Sequence, residues 1–164
     1  MARVLRVGPW GASYLGRRFV CSVGRSGIGV KKGEGDGVSP LGSFRIARVH
    51  YRADRMKRLP GATEIRIDDV WSDDPGDPDY NARARGLDYP FGHERMWRAD
   101  RLYDLVAVLD FNLSDPVAGA GSAIFMHCWR RPRYPTEGCI AFAYADLRWI
   151  LESWRMDDRV FIGV

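Results

Sequence analysis

The chain has 164 residues, 46% of them hydrophobic, and a formal net charge of +4. This length suits a single domain, residues 1–164, that can bury a core without disulfide bonds. The longest apolar runs are too short to cross a bilayer, so we expect no transmembrane segment. Because 25 basic residues face 21 acidic ones, the charge predicts a mildly basic surface and no nucleic-acid partner.

The order of predicted elements indicates mostly β structure. Short β-type runs punctuated by glycine predict strands at 4–7, 17–22 and 42–49, arranged as hairpins. The glycine-rich segment 33–37 lacks the ending of a phosphate-binding loop and is interpreted as a hairpin turn. Further strands are predicted at 63–68, 105–111, 123–127 and 159–164, and the acidic stretch 68–79 is interpreted as a solvated loop.

One helix is clear in the pattern. Apolar residues recur at helical spacing between residues 144 and 154, on a face formed by Leu147, Ile150, Leu151 and Trp154. We expect this helix to pack its apolar face on a sheet. A weaker helix or turn is predicted at 81–85. The predicted fold class is therefore mostly β (α+β).

The three cysteines of the chain are Cys21, Cys128 and Cys139. An odd number without a Cys-x-x-Cys pair predicts at least one free thiol. Cys21 and Cys128 are predicted to pack in the interior, and Cys128 should face away from its strand neighbour His127. No metal is expected, because a zinc site built on His127, Cys128 and Cys139 would still need a fourth ligand.

Cys139 has the surroundings expected of a nucleophile. A thiol attacks a carbonyl only as thiolate, so it needs a neighbouring base, and His127 at the end of a predicted strand is the candidate. Gly138 allows a tight turn beside the sulfur and leaves amide groups to face an oxyanion, while the Thr136 hydroxyl can brace that turn. The pattern predicts acyl transfer through Cys139, with His127 as general base.

These residues resemble a known family signature. The segments Ser122-Ala-Ile-Phe-Met-His127 and Thr136-Glu-Gly-Cys139 are similar to the YkuD-type L,D-transpeptidases, in which a strand histidine precedes Ser/Thr-x-Gly-Cys. Segment 35–44 resembles the family's Thr/Ser-Pro-x-Gly-x-Phe region, and 92–97 with 102–106 resembles short, single-domain proteobacterial members. Many members have histidine before Gly-Cys and a basic residue or asparagine two positions after the cysteine, where this chain has Glu137 and Ala141.

The resemblance implies a fold and an activity. The fold would be a YkuD-like β-sandwich or barrel with a flanking C-terminal helix. The enzyme would form crosslinks between peptidoglycan stem peptides through a cysteine thioester, of the 3-3 or the 1-3 type. The short chain and the missing basic residue at position 141 favour the 1-3 type. Stem peptides and D-amino acids would be its partners, carbapenems its inhibitors, and roles in cell-wall biogenesis and cell shape would follow.

Several residues are candidates for substrate binding. The candidates near the nucleophile lie between His127 and Cys139, and they are Trp129, Arg131, Tyr134, Thr136 and Glu137. Arginine in this loop could bind carboxylates of the substrate. A second polar and aromatic cluster contains His93, Glu94 and Trp97, for which substrate contact and structural support are both open.

Alternative functions remain open at this point. If water resolves the thioester, the same site is an L,D-carboxypeptidase. A non-catalytic peptidoglycan-binding module would retain the fold with an inert cysteine, and a cysteine peptidase acting on proteins would need an extended cleft. No cofactor is expected, since thiol acyl transfer needs only protein groups. The implied function places the protein in the periplasm or cell envelope, although residues 1–16 do not resemble a signal peptide.

Overall fold

The computed structural model describes residues 2–164. This part of the chain forms sixteen short strands and one helix, α1, at Tyr144–Glu152. In chain order the strands are β1 Val4–Gly8, β2 Gly11–Tyr14, β3 Arg17–Phe19, β4 Cys21–Ser22, β5 Ile28–Gly29, β6 Ser39–Pro40, β7 Gly42–Phe44, β8 Ile46–Tyr51, β9 Thr63–Glu64, β10 Asp69–Ser72, β11 Arg83–Arg85, β12 His93–Arg95, β13 Leu105–Leu109, β14 Phe125–Cys128, β15 Ile140–Phe142 and β16 Arg159–Ile162.

Of the four sheets that the described residues form, three are layers around two cores, and the fourth is the pair β5-β6. A five-stranded sheet has the order β3-β2-β1-β16-β7, a six-stranded sheet the order β4-β15-β14-β13-β8-β9, and a three-stranded sheet the order β11-β10-β12. The first core contains residues of the five-stranded and six-stranded sheets, and the second contains residues of the six-stranded and three-stranded sheets. The mostly β fold with a C-terminal helix is confirmed.

Strand β13 lies inside the six-stranded sheet and is buried on both faces. Leu105, Ala107 and Leu109 belong to the first core, and Val106 and Val108 to the second. Side chains alternate along a strand, so a continuous apolar run is what a strand covered on both faces requires. The six-stranded sheet is therefore the middle layer.

Helix α1 packs on the first core, as its apolar face predicts. Leu147 and Ile150 are fully buried, while Leu151 and Trp154 are partly buried against the same core. Only Tyr144–Glu152 is helical, which is shorter than the predicted 144–154. Among the described residues no helix has the length and apolarity needed to span a membrane.

The two ends of the chain meet at Asp158. Its buried carboxylate accepts hydrogen bonds from Arg3 Nη2 at 2.6 Å, Tyr14 Oη at 2.5 Å and the Arg155 amide at 2.7 Å. Despite the cost of burial, these donors hold the pKa of Asp158 well below its usual range. The carboxylate thus links β1 and β2 to the turn that precedes β16.

The acidic segment 68–79 is only in part the solvated loop that the sequence predicts, since residues 73–79 form a loop and residues 69–72 do not. Its residues Asp69–Ser72 form β10, in which all four are buried. Asp69 is paired with Arg83, and Arg85 Nη2 lies 2.9 Å from Asp68 Oδ1. The arginines come from the adjacent β11, so the acidic residues are compensated by cross-strand partners that a local pattern does not reveal.

Two other local predictions are wrong in whole or in part. Residues 83–85 of the helix or turn predicted at 81–85 form strand β11, and only the residues before it lie in a turn. The buried side chain of Asn81 accepts hydrogen bonds from Trp71 Nε1 and the Ala123 amide, both at 3.0 Å. The glycine-rich segment 33–37 is not a hairpin turn, because its flanking strands β5 and β6 run parallel. Asp36 closes this loop by accepting hydrogen bonds from Lys31 Nζ at 2.6 Å and the Val38 amide at 2.9 Å.

We predict that Asp158→Ala strongly destabilises the fold. The substitution removes the charged acceptor of the Tyr14 hydroxyl and the Arg3 guanidinium and leaves them only the Ser153 carbonyl, so we expect the free energy of unfolding to fall by about 3 kcal/mol. Urea unfolding followed by tryptophan fluorescence measures this change. The matched control is Asp157→Ala at the exposed neighbouring carboxylate, and equal losses in both variants would contradict the prediction.

Candidate active site

Strand β14 separates two environments by the alternation of its side chains. Met126 and Cys128 belong to the first core, and Phe125 belongs to the second core on the opposite face. His127 therefore shares the face of Phe125 and points away from Cys128, as predicted from the strand pattern. It lines a cavity of about 570 Å³.

Cys139 reaches the same cavity from the neighbouring strand. It immediately precedes β15, which runs parallel to β14 with Met126 opposite Ile140 and His127 opposite Ala141. Both Cys139 and His127 line the cavity. Two neighbouring parallel strands thus bring together the residues that the sequence predicts as nucleophile and base.

The Cys139 thiol is neutral in the unliganded protein. Its Sγ donates to the Ala123 carbonyl at 3.1 Å and accepts from the Phe125 amide at 3.4 Å. Burial raises the pKa of Cys139 to about 12, with a further increase from the Glu94 carboxylate, while the Phe125 amide acts in the opposite direction. Thiolate formation thus requires transfer of the proton to a base during the reaction.

His127 is arranged as a neutral base. Its Nδ1 lies 2.7 Å from the Cys128 carbonyl oxygen, and a carbonyl only accepts, so Nδ1 carries the proton and Nε2 has a free lone pair. The Tyr103 ring packs edge-on against the imidazole, with 5.4 Å between ring centroids. Burial lowers the pKa of His127 to about 4, so the ring is uncharged at neutral pH.

The turn before Cys139 is braced by Thr136, as the sequence predicts. The Thr136 hydroxyl accepts from the Gly138 amide at 3.1 Å and donates to the Cys139 carbonyl at 2.6 Å. Gly138 has φ of 142°, and a Cβ atom there would lie 2.8 Å from the Val38 carbonyl oxygen. The Gly138 amide is therefore not free to face an oxyanion, contrary to the prediction, and the Cys139 amide is the remaining candidate.

Ser39 also supports this turn, in a way that the sequence did not reveal. It is fully buried, donates to the Gly138 carbonyl at 2.8 Å and accepts from the Gly24 amide at 2.8 Å. Ser39 precedes Pro40 in the segment that resembles the family's upstream motif, which was the only signal for its importance. The contact across 99 positions joins β6 to the turn of the nucleophile.

Five of the eight candidate substrate residues line the cavity with Cys139. They are His93, Glu94, Tyr134, Thr136 and Glu137. Arg131 is exposed and lies over the Tyr134 ring, with 4.6 Å between its Cζ and the ring centroid. Trp97 is stacked under Arg52, and Trp129 lines a separate cavity of about 280 Å³. These last three residues are outside the lining of the main cavity.

Further residues of the cavity wall were not among the candidate substrate residues, although most lie in segments that the sequence analysis singled out. They are Arg95, Arg98, Leu102, Tyr103, Arg130, Pro135 and Ala141. Tyr103 donates a hydrogen bond to Glu94, and Arg98 is paired with Asp100 at 2.6 Å. Within residues 2–164 no three histidine, cysteine or acidic side chains are grouped closely enough to hold a metal ion.

We predict that stability falls as the pH drops from about 6 to about 5. Burial lowers the pKa of both His50 and His127 from 6.5 to about 4, so in this window the unfolded chain binds two protons that the folded chain does not. Stability is complete above the unfolded pKa and declines below it, by about 1.4 kcal/mol per pH unit for each histidine. Urea unfolding at several pH values measures the slope.

The variant His50→Gln tests this assignment, because it removes one of the two protons. We expect the slope in this variant to be lower than the wild-type slope by about 1.4 kcal/mol per pH unit, whatever its absolute stability. A slope that is unchanged in His50→Gln, or a flat wild-type profile, would show that the buried histidines do not control acid stability.

We predict that Ser39→Ala weakens both the fold and the nucleophile turn. The Gly24 amide and the Gly138 carbonyl each lose a buried partner, so we expect a loss of about 1–3 kcal/mol in the free energy of unfolding. Alkylation of Cys139 by iodoacetamide should become faster as the turn loosens. The matched control is Ser43→Ala at an exposed strand position, and Ser39→Ala protein that behaves like this control would refute the role of Ser39.

A protein-family model agrees with these observations. The family model for the YkuD L,D-transpeptidase catalytic domain matches residues 9–162. Among solved structures, an L,D-transpeptidase from Mycobacterium smegmatis is similar, with 11% sequence identity and a TM-score of 0.46, over 99% of this chain and 58% of that chain. No curated protein matches the chain.

The assignment to a family rests on the family model, which spans most of the chain and includes both strands of the candidate site. It agrees with the motif formed by His127, Gly138 and Cys139. The chain therefore belongs to the YkuD family of L,D-transpeptidase catalytic domains.

Proposed function

We propose that this protein is a cysteine-dependent L,D-transpeptidase that crosslinks stem peptides of peptidoglycan in the periplasm or cell envelope. The observation that carries the proposal is the shared cavity of Cys139 and His127, in which the imidazole has an unprotonated Nε2. The match to the YkuD family supports the substrate class.

In the acylation step, His127 Nε2 takes the proton of Cys139 and the thiolate attacks the carbonyl at the L-centre of the donor stem. The C–S bond forms, and the proton on His127 passes to the leaving D-amino acid as the C–N bond breaks. In the free protein the thiol proton is directed at the Ala123 carbonyl, so substrate binding must redirect it to the imidazole. The Cys139 amide is the proposed oxyanion donor.

In the second step, an amine of an acceptor stem attacks the thioester. The new C–N bond forms, the C–S bond breaks, and the proton given up by the attacking amine returns to the sulfur through His127. Because His127 is held neutral by burial, it can act as a base at neutral pH without first losing a proton. Attack by water on the same thioester would give an L,D-carboxypeptidase.

We predict a covalent adduct at Cys139. Incubation with purified disaccharide-peptide stems should add the mass of an acyl group to the wild-type protein and none to Cys139→Ala, as measured by intact mass spectrometry. A carbapenem should acylate the same residue. The matched control is Cys128→Ala. This thiol lies on β14 and is buried in the first core, on the face opposite to His127, so its removal should leave the adduct in place.

The products identify the reaction. Crosslinked dimers would establish transpeptidation and name the bond as 1-3 or 3-3, whereas shortened stems without dimers would establish the carboxypeptidase. An adduct that persists in Cys139→Ala would refute the nucleophile. Absence of both adduct and product would refute the enzyme and support a peptidoglycan-binding module.

A further inference from the structure

The cavity contains a half-buried carboxylate that the acyl-transfer steps do not use. Glu94 lies on β12 and lines the cavity with Cys139. Its Oε2 accepts a hydrogen bond from Tyr103, and among residues 2–164 no donor is bonded to Oε1. One oxygen is thus fixed by the protein, and the other is left for a ligand that donates hydrogen bonds.

Tyr103 connects this carboxylate to the reacting residues. Its ring packs edge-on against His127, and also against Phe125 with 5.7 Å between centroids. The hydroxyl therefore holds Glu94 at a fixed position relative to the imidazole. A group bound to Glu94 is consequently held in the same cavity as the thioester that Cys139 would form.

The charges around Glu94 favour a cation. Burial raises the pKa of Glu94, and the nearby carboxylates of Asp73 and Glu34 raise it further, while the Tyr103 hydrogen bond and Arg98 act in the opposite direction. Arg98 is already paired with Asp100. A positively charged ligand at Oε1 would replace the lost hydration of the carboxylate and stabilise its ionised form.

The same cavity also has groups that suit a carboxylate. Arg95 and Arg130 line it and are exposed, and neither forms a salt bridge with any residue between 2 and 164. Arg95 Nη2 lies 3.3 Å from the Leu87 carbonyl oxygen, and Arg130 is stacked over Tyr134. Guanidinium groups bind carboxylates well, often through two hydrogen bonds.

We propose that Glu94 binds the ammonium group of an amino-acid zwitterion, with Arg95 or Arg130 binding its carboxylate, and thereby selects the amine that resolves the thioester. This inference rests on the proposed function. The ligand has the chemistry of a free D-amino acid or of the zwitterionic end of a diaminopimelate side chain in an acceptor stem. After losing one proton to water, the bound amine attacks the thioester as described above.

The kinetic test compares acceptors with and without positive charge. Glu94→Gln should lower kcat/KM for D-methionine by ~10-fold or more, the loss of a charge-assisted hydrogen bond, whereas hydroxylamine, which is largely uncharged at neutral pH, should change by less than ~2-fold. The matched control is Glu152→Gln, which removes a carboxylate of α1 and should affect neither acceptor. Equal losses for both acceptors in Glu94→Gln, or no loss, would overturn the proposal.

A parallel arm with a diaminopimelate-containing acceptor stem identifies the source of the zwitterion. A similar loss with the stem and with D-methionine assigns the site to both acceptors, and a loss with D-methionine alone assigns it to amino-acid exchange. Carbapenem acylation of Cys139 in wild type and Glu94→Gln reports separately on the nucleophile. Its failure in the wild type would count against the proposed function and not against Glu94.

A binding measurement tests the proposal without catalysis. In Cys139→Ala protein, titration with D-methionine followed by NMR should show saturable shifts at cavity residues, which N-acetyl-D-methionine should not produce because it lacks the ammonium group. Introducing Glu94→Gln into the Cys139→Ala protein should weaken the binding of D-methionine by ~10-fold. Equal binding of the two ligands, or binding unaffected by Glu94→Gln, would refute the role of Glu94.

Discussion

The site depends on the opposite orientation of successive side chains along β14. His127 faces the cavity because Met126 and Cys128 are committed to the first core, and the parallel neighbour β15 then brings Cys139 to the same face. A shift of register by one residue would exchange these faces and bury the imidazole in the apolar core. The apolar residues that stabilise the middle sheet are therefore also the residues that orient the reacting groups.

The electrostatics of the site follow from this burial. A cysteine and a histidine in water-excluded surroundings favour their neutral forms, which explains the opposite directions of the pKa shifts of Cys139 and His127. Such a pair differs from a preformed thiolate–imidazolium pair, because it is unreactive until a substrate changes its surroundings. The neutral thiol is also less readily oxidised or alkylated, since the thiolate is the reactive form.

The sequence predicted the parts of the molecule that local patterns determine. The double-faced strand β13, the apolar face of α1 and the pairing of His127 with Cys139 all follow from alternation, helical spacing and motif chemistry. Long-range partners decided the rest. The acidic residues of β10 are buried because β11 supplies arginines, and Ser39 supports the nucleophile turn from a distant segment. Trp129 is only two residues from His127 in sequence, but it lies just beyond the end of β14 and lines another cavity.

The position of β16 between β1 and β7 has a consequence for how the chain folds. The hairpins formed by the first strands cannot join β7 until residues 159–162 are available, because β16 is hydrogen-bonded to both neighbours. The side of the first core that the five-stranded sheet covers therefore closes only after residues 159–162 have been synthesised, and such long-range pairing is slow. Until β16 pairs with β1 and β7, the apolar residues of the early hairpins lack part of their cover, and such partly assembled chains are prone to associate.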